Sequence, residues 1–220
     1  MTTHSFSSID FFSSCAHKYN EVKIVKRFKE KPFVASELGK ALHSAFERAI
    51  TMGVSLPENL IRYTPEIEML KALPGAKHCE MKLALTHQGT ATEFWAKDAW
   101  IRGAADFIHI DGTHAMIADY KTGKVNPKPD QLHLMACMVF QRFPWVKTVR
   151  GVLMFVEHSV IHTEDYDAVN FPQMFGFWAN KMNRIEKAID TQQFPKNPSG
   201  LCKNHCAVAN CEHNGMGGVL

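Results

Sequence analysis

The order of apolar and polar positions divides the chain into stretches with two different periods. In "SELGKALHSAFERAITMG" (36–53), Leu38, Leu42, Ala45 and Ala49 recur at helical spacing, Phe46 widens the stripe and His43 flanks it. Ser36 suits an N-cap and Gly53 a stop, so the pattern predicts a helix over 36–53. Residues 57–75 hold three prolines and predict a short helix within loops. From about His78 the period falls to two. "CEMKLALT" (79–86) sets Glu80 and Lys82 on one face and Met81, Leu83 and Leu85 on the other. "AWIRGAADFIHI" (99–110) and "THAMIADY" (113–120) predict two strands joined across Asp111-Gly112, a strong turn dipeptide. Helical spacing returns within 127–143 through Leu132, Met135, Ala136, Val139 and Phe140. "TVRGVLMFVEH" (148–158) is almost continuously apolar, as in a central strand covered on both faces. Met174, Trp178, Met182, Ile185 and Ile189 mark a further amphipathic helix. The order predicts an α/β fold around a mixed sheet, with the strand after the second helix placed to pair parallel.

The hairpin constrains where charge falls. With Gly112-Thr113 as its two-residue turn, Asp106 sits opposite Asp119; with Asp111-Gly112 as the turn, Asp106 faces Ile117, diagonal to Asp119. In both registers the two aspartates project from one face, and Lys121 joins them at the next same-face position. Glu80, on the preceding strand, is within reach of the same neighbourhood. Adjacent half-buried carboxylates repel one another and raise their proton affinity, a penalty that a divalent cation removes. Oxygen donors favour Mg²⁺ or Mn²⁺, ions that polarise phosphodiesters and acidify water. A structural ion pair at a strand end is the plainer reading of the same spacing.

Composition narrows the setting. The 220 residues suffice for a sizeable core. No apolar run reaches membrane-span length, and "MTTHSFSSIDFF" lacks the basic start and apolar segment of a secretory signal. The expectation is a soluble cytoplasmic protein, of host or phage origin. A net charge of +3 does not by itself announce nucleic acid. Between His17 and Lys31, however, Lys18, Lys23, Lys26, Arg27, Lys29 and Lys31 outnumber Glu21 and Glu30, forming either a solvated face or a track for phosphates. Nearby Phe11, Phe12, Tyr19 and Phe28 would suit a single-strand channel or a core, the core being the better reading for Phe11 and Phe12.

Four motifs in order, "GKALH" (39–43), "GAAD" (103–106), "DYKTG" (119–123) and Gln131, resemble the PD-(D/E)XK nuclease superfamily. With the opening "SFSSIDFFSSCAHKY", they look most like its RecB-type branch and the CRISPR spacer-acquisition nucleases. The resemblance implies a restriction-endonuclease-like core: a mixed central sheet flanked by helices, with a cysteine-rich C-terminal cap. It implies a nuclease domain over 1–195 and a cap over 196–220 completed by Cys15. It also implies that Asp106, Asp119 and the Tyr120 carbonyl ligate Mg²⁺ or Mn²⁺ together with His43. Lys121 would act on the attacking water, Glu80 would support the metal, and Gln131 would serve DNA binding. A motif of the form Gln-x-x-x-Tyr is incomplete here, with Met135 at its fifth position.

Of six cysteines, Cys79 and Cys137 lie in apolar segments as small core residues. "LCKNHCAVANC" (201–211) offers Cys202, Cys206 and Cys211, one thiolate short of a four-coordinate site. The resemblance supplies Cys15 as the fourth and a [4Fe–4S] cluster as the occupant. The Cys-x3-Cys-x4-Cys spacing departs from the family's Cys-x2-Cys-x5-Cys, and His17, His205 and His213 keep Zn²⁺ open.

The resulting expectation is a metal-dependent DNA exonuclease acting on ends or single strands in recombination, repair, or CRISPR or phage DNA processing. Lys18 and Lys23 would contact DNA. No Gly-x4-Gly-Lys-Ser/Thr motif occurs, so any motor would be a separate helicase or recombination protein. The alternative is a non-catalytic nucleic-acid-binding module on the same fold.

Overall fold

The computed structural model describes residues 2–30 and 34–215, without side chains for 34–38. The side chain of Leu38 in the apolar stripe and the charge of Lys31 therefore lie outside what is described, and Ser36 falls inside a helix that begins at Val34 rather than at its N-cap. Two compact units emerge, Phe33–Trp178 and a smaller one joining Thr2–Pro32 to Ala179–Leu220.

The chain opens in the smaller unit with a two-residue strand β1 (His4–Ser5). Helix α1 (Phe6–Ser14) is started by a capping box in which Ser5 and Ser8 satisfy each other's backbone N–H groups. Cys15 breaks the helix and caps α2 (Ala16–Tyr19), which runs into a π-helical turn at Asn20–Ile24. Ile9, Tyr19, Met182, Ile185 and Val208 are buried in this unit. The Ser14 carbonyl accepts from Asn197 and the Pro195 carbonyl from the His17 N–H, which ties the two chain segments together.

In the larger unit α3 (Val34–Met52) stops at Gly53, whose φ of +67° no ordinary helix residue adopts. A 3₁₀ turn (Glu58–Tyr63) and α4 (Thr64–Ala72) occupy the proline-containing stretch. The strands are β2 (Ala76–Leu85), β3 (Ala91–Thr92), β4 (Ile101–Asp111) and β5 (His114–Lys121), then β6 (Thr148–Phe155) and β7 (Val160–Asp167) after α5 (Asp130–Arg142). Their order is β3-β2-β4-β5-β6-β7, antiparallel except for the parallel β5–β6 pair made through α5. Helix α6 (Phe171–Thr191) follows, and its Trp178 indole donates to His133 of α5 at 2.8 Å. A short helix, α7 (Cys202–His205), lies in the smaller unit. No helix among the described residues is long and apolar enough to cross a membrane.

Of the two hairpin registers the structure takes the first: Phe107 pairs with Ala118 and Asp111 with His114, across Gly112 at φ +58°. Strand β7, "VIHTEDYD", is not predicted by the apolar pattern, because an exposed edge strand has no buried face to impose one.

Helices α3 and α5 cover opposite faces of the sheet. Leu42, Phe46 and Ala49 of α3 pack with Phe107, Ala118, Tyr120, Val152 and Met154. On the other face, a Cβ at Gly151 would stand 2.9 Å from Leu132 Cβ of α5 and 3.2 Å from the Tyr166 ring. The neighbour that must give is a fully buried side chain at its root, so the contact cannot relax cheaply. Gly151→Ala should lose about 1–3 kcal/mol in urea-induced unfolding; an unchanged midpoint would show that α5 is free to shift.

Candidate active site

The α3 face and the β4–β5 hairpin converge at the C-terminal end of β5. Packing of Leu42 and Phe46 fixes α3 so that His43 reaches the strand backbone, with its Nε2 3.0 Å from the Tyr120 carbonyl oxygen. A hydrogen on Nε2 makes that bond, and Nδ1 then faces Asp106 Oδ1 at 3.4 Å and Glu80 Oε1 at 3.9 Å. Asp106 Oδ2 in turn accepts the Tyr120 N–H at 2.9 Å. The hydrogen bond to Asp106 outweighs partial burial and lifts the His43 imidazole to about 9. At neutral pH the metal-free protein therefore holds an imidazolium between two carboxylates.

Glu80 sits at φ +48°, a left-handed conformation in the middle of a strand. The β2–β4 ladder is regular on both sides, Cys79 with Phe107 and Met81 with Ala105, so Glu80 occupies the step facing Asp106. Such a backbone costs of order 1–3 kcal/mol and gathers where function demands it. Burial, followed by the charge of Asp106, raises the Glu80 carboxyl above its ordinary value. Glu47, one turn beyond His43 on α3, adds further negative charge, a proximity its i, i+4 spacing already carries in the sequence.

Asp119 is 6% exposed and belongs to a closed triangle. Gln131 Nε2 donates to its Oδ1 at 2.7 Å, Lys121 Nζ meets its Oδ2 at 2.6 Å, and the same Nζ donates to Gln131 Oε1 at 3.0 Å. Burial and then the Asp106 charge push Asp119 up to about 6, while Lys121 pulls it back. Gln131 comes into the site because α5 starts at Asp130, immediately before it.

One ligand atom each of His43, Glu80 and Asp106 lies within 4.8 Å of the others, the only such histidine, cysteine or acidic group among the described residues. An imidazole nitrogen and two carboxylates, with buried Asp119 beside them, fit a hard divalent cation.

The remaining residues are elsewhere. Lys18 pairs with Glu30 at 2.5 Å and lies 4.8 Å from the Phe11 ring centroid; exposed Lys23 lies 5.4 Å from the same ring. Cys15, Cys202, Cys206 and Cys211 line one cavity of about 130 Å³, together with His17, His205 and His213. No three of these ligands share the 4.8 Å spacing of the His43 group, so the closed four-thiolate set expected from the sequence is not drawn together for a single ion. Two of the sulfurs accept backbone hydrogen bonds, Cys15 from the Lys18 N–H and Cys202 from the Ser199 N–H.

A family profile described as the PD-(D/E)XK nuclease superfamily matches residues 3–211. The chain belongs to the PD-(D/E)XK nuclease superfamily. Asp119-Tyr120-Lys121 spells the (D/E)XK part of that name, and the superfamily places the chain among hydrolases acting on nucleic acid with divalent metals. The fold is similar to the crystal structure of a candidate exonuclease from Eubacterium rectale, at 14% identity and a TM-score of 0.53 over 93% of this chain and 86% of that one. The crystal structure of SSO0001 matches at 13% identity and a TM-score of 0.41, over 88% and 77%. At such identities the first likeness shows the nuclease fold alone. A comparison with curated proteins gives no significant match.

A cation that takes His43 as a ligand would displace its proton. That proton is held up to about pH 9, so metal affinity should rise with pH below that value and level off above it. Calorimetric titration with Mn²⁺ between pH 6.5 and 8.5 should show affinity climbing roughly tenfold per pH unit. His43→Ala should weaken binding and flatten the slope; a wild-type affinity independent of pH would remove His43 from the metal set.

Proposed function

We propose that the protein is a Mg²⁺- or Mn²⁺-dependent deoxyribonuclease of the RecB-like branch, acting on DNA ends or single strands. The observation that carries this reading is the convergence of His43, Glu80 and Asp106 beside the Asp119–Lys121–Gln131 triangle. A histidine on the preceding helix, in contact with the strand carboxylates, supports the branch assignment. His43, Asp106 and Asp119 would hold the cation, with Glu80 beside them and the Tyr120 carbonyl as a further ligand. A cation bound there would polarise the scissile phosphodiester and lower the pKa of an attacking water.

The chain's own groups do the rest. Lys121 carries a positive charge at the rim, half held by Asp119 and half by Gln131. Were Asp119 to ligate a cation, Lys121 would be left to face a phosphate oxygen or to hold the attacking water. Gln131 then keeps Lys121 in place, a positioning part that does not require a DNA contact. Lys18 and Lys23 would contact phosphates.

A non-catalytic module is the second reading. Against it stands the placement of His43, Glu80 and Asp106 within ligand distance of one another, beside Asp119, Lys121 and Gln131. Asp119→Asn should lower cleavage of labelled single-stranded DNA to the level of wild type in chelator, and Lys121→Ala should cost about 10²–10³ in kcat. Undiminished cleavage by Asp119→Asn would overturn the assignment.

We carry a structural metal centre on the four cysteines as part of this proposal, although the thiols share only a cavity and are not drawn together for one ion. Around zinc, tetrahedral thiolates at 2.3 Å stand about 3.8 Å apart. N–H groups directed at two of the sulfurs would suit an iron–sulfur cluster, whose potential such hydrogen bonds tune. Anaerobically purified protein should be brown, with iron near four per chain for a [4Fe–4S] centre. Colourless protein containing zinc, or neither metal, would refute the cluster.

A further inference from the structure

Beyond the metal site, the larger unit carries an exposed aromatic pair clasped by two cations. Trp95 lies in the loop between β3 and β4 and is 73% exposed. Its ring meets Phe94 edge-on, with centroids 4.8 Å apart. The Arg102 guanidinium stands 5.2 Å from the Trp95 centroid and the Lys82 ammonium 5.9 Å, and both also lie within 6 Å of Phe94. Arg102 donates to the Ala96 carbonyl at 3.1 Å, which pins the loop against β4. Of the loop's two carboxylates, Asp98 is engaged by the Thr92 hydroxyl at 2.9 Å, and Glu93 is the other.

Folding alone does not account for this group. An indole left three-quarters in water adds little to the core, while two cations beside it mark the surface for an anionic partner with flat apolar faces. Its place follows from the sheet. Gly103 faces α5, where a Cβ would strike Met135, so its neighbours Arg102 and Ala104, with the Lys82 paired to Ala104, project away from α5. Lys82 is two residues, about 7 Å, along β2 from Glu80.

We propose that Trp95 and Phe94, with Lys82 and Arg102, form a stacking platform that binds single-stranded DNA a few nucleotides from the metal site. The proposal rests on the nuclease reading and names its substrate form: unpaired bases, which alone present free faces to an indole. The cations take the phosphates on either side. A duplex hides those faces and gains only the charge contribution.

The test is binding without cleavage, in chelator, read by tryptophan fluorescence. Trp100 and Trp178 are buried, so Trp95 and Trp145 are the indoles exposed to a ligand. A dT oligonucleotide should quench wild type. Trp95→Ala should abolish most of that quenching and weaken binding roughly 5- to 150-fold, with Trp95→Phe recovering part of the affinity. An abasic strand of equal length should bind wild type as weakly as dT binds Trp95→Ala. Lys82→Ala should lower the log–log salt slope by about 0.7. Equal affinity of Trp95→Ala and wild type for dT, or equal affinity of wild type for abasic and normal strands, would overturn the platform. The thermal melt of Trp95→Ala shows whether it is folded. Strand binding that depends on Trp95 in a protein inert with Mn²⁺ would sink the nuclease reading and leave the platform standing; Mn²⁺-dependent cleavage with Trp95-independent binding would do the reverse.

Discussion

Three carboxylates brought to one end of a single sheet set the constraint that the rest of the site answers. Glu80, Asp106 and Asp119 cannot all ionise there without compensation, and the fold supplies it from three sides. Helix α3 provides the His43 imidazolium, the strand provides the Tyr120 N–H, and Lys121 with Gln131 encloses Asp119. Each donor sits where it does for a packing reason. His43 follows from the burial of Leu42 and Phe46, and Gln131 from the seating of Leu132 over Gly151. The site is thus a charge balance held in place by two helices on opposite faces.

How much of this the sequence discloses depends on which force sets each element. The hairpin, α3, α5 and β6 each bury a face, so their apolar periods announce them, and the turn at Gly112 places Asp106 by Asp119 within two allowed registers. Strand β7 buries no continuous face and stays silent. Glu80 was legible as a neighbour but not as a direct partner of His43, because its approach depends on one left-handed residue that no periodicity encodes. Gln131 was expected on a DNA-contacting role; its hydrogen bonds to Asp119 and Lys121 depend on where α5 begins relative to β5, a tertiary fact. The resemblance anticipates the grouping of Cys15 with the C-terminal cysteines, a contact remote in sequence that spacing alone cannot reveal.

The two units also divide their labour by the kind of stabilisation available to each. The larger has a sheet with apolar residues on both faces. The smaller is built from short helices around a few buried side chains, with backbone bonds joining its two chain segments. A small core of that kind gains most from a bound metal or another link, since little apolar area is there to offset chain entropy.

The conformation of Glu80 carries a cost beyond its own bond angles. Only glycine would adopt that left-handed step without penalty, so a sheet selected for strength alone would place glycine at position 80. Such a chain would fold more firmly and lack a carboxylate. Strand β2 is therefore a place where durability is exchanged for reactivity, and stabilising changes found there by selection for thermal resistance should be expected to erode the site.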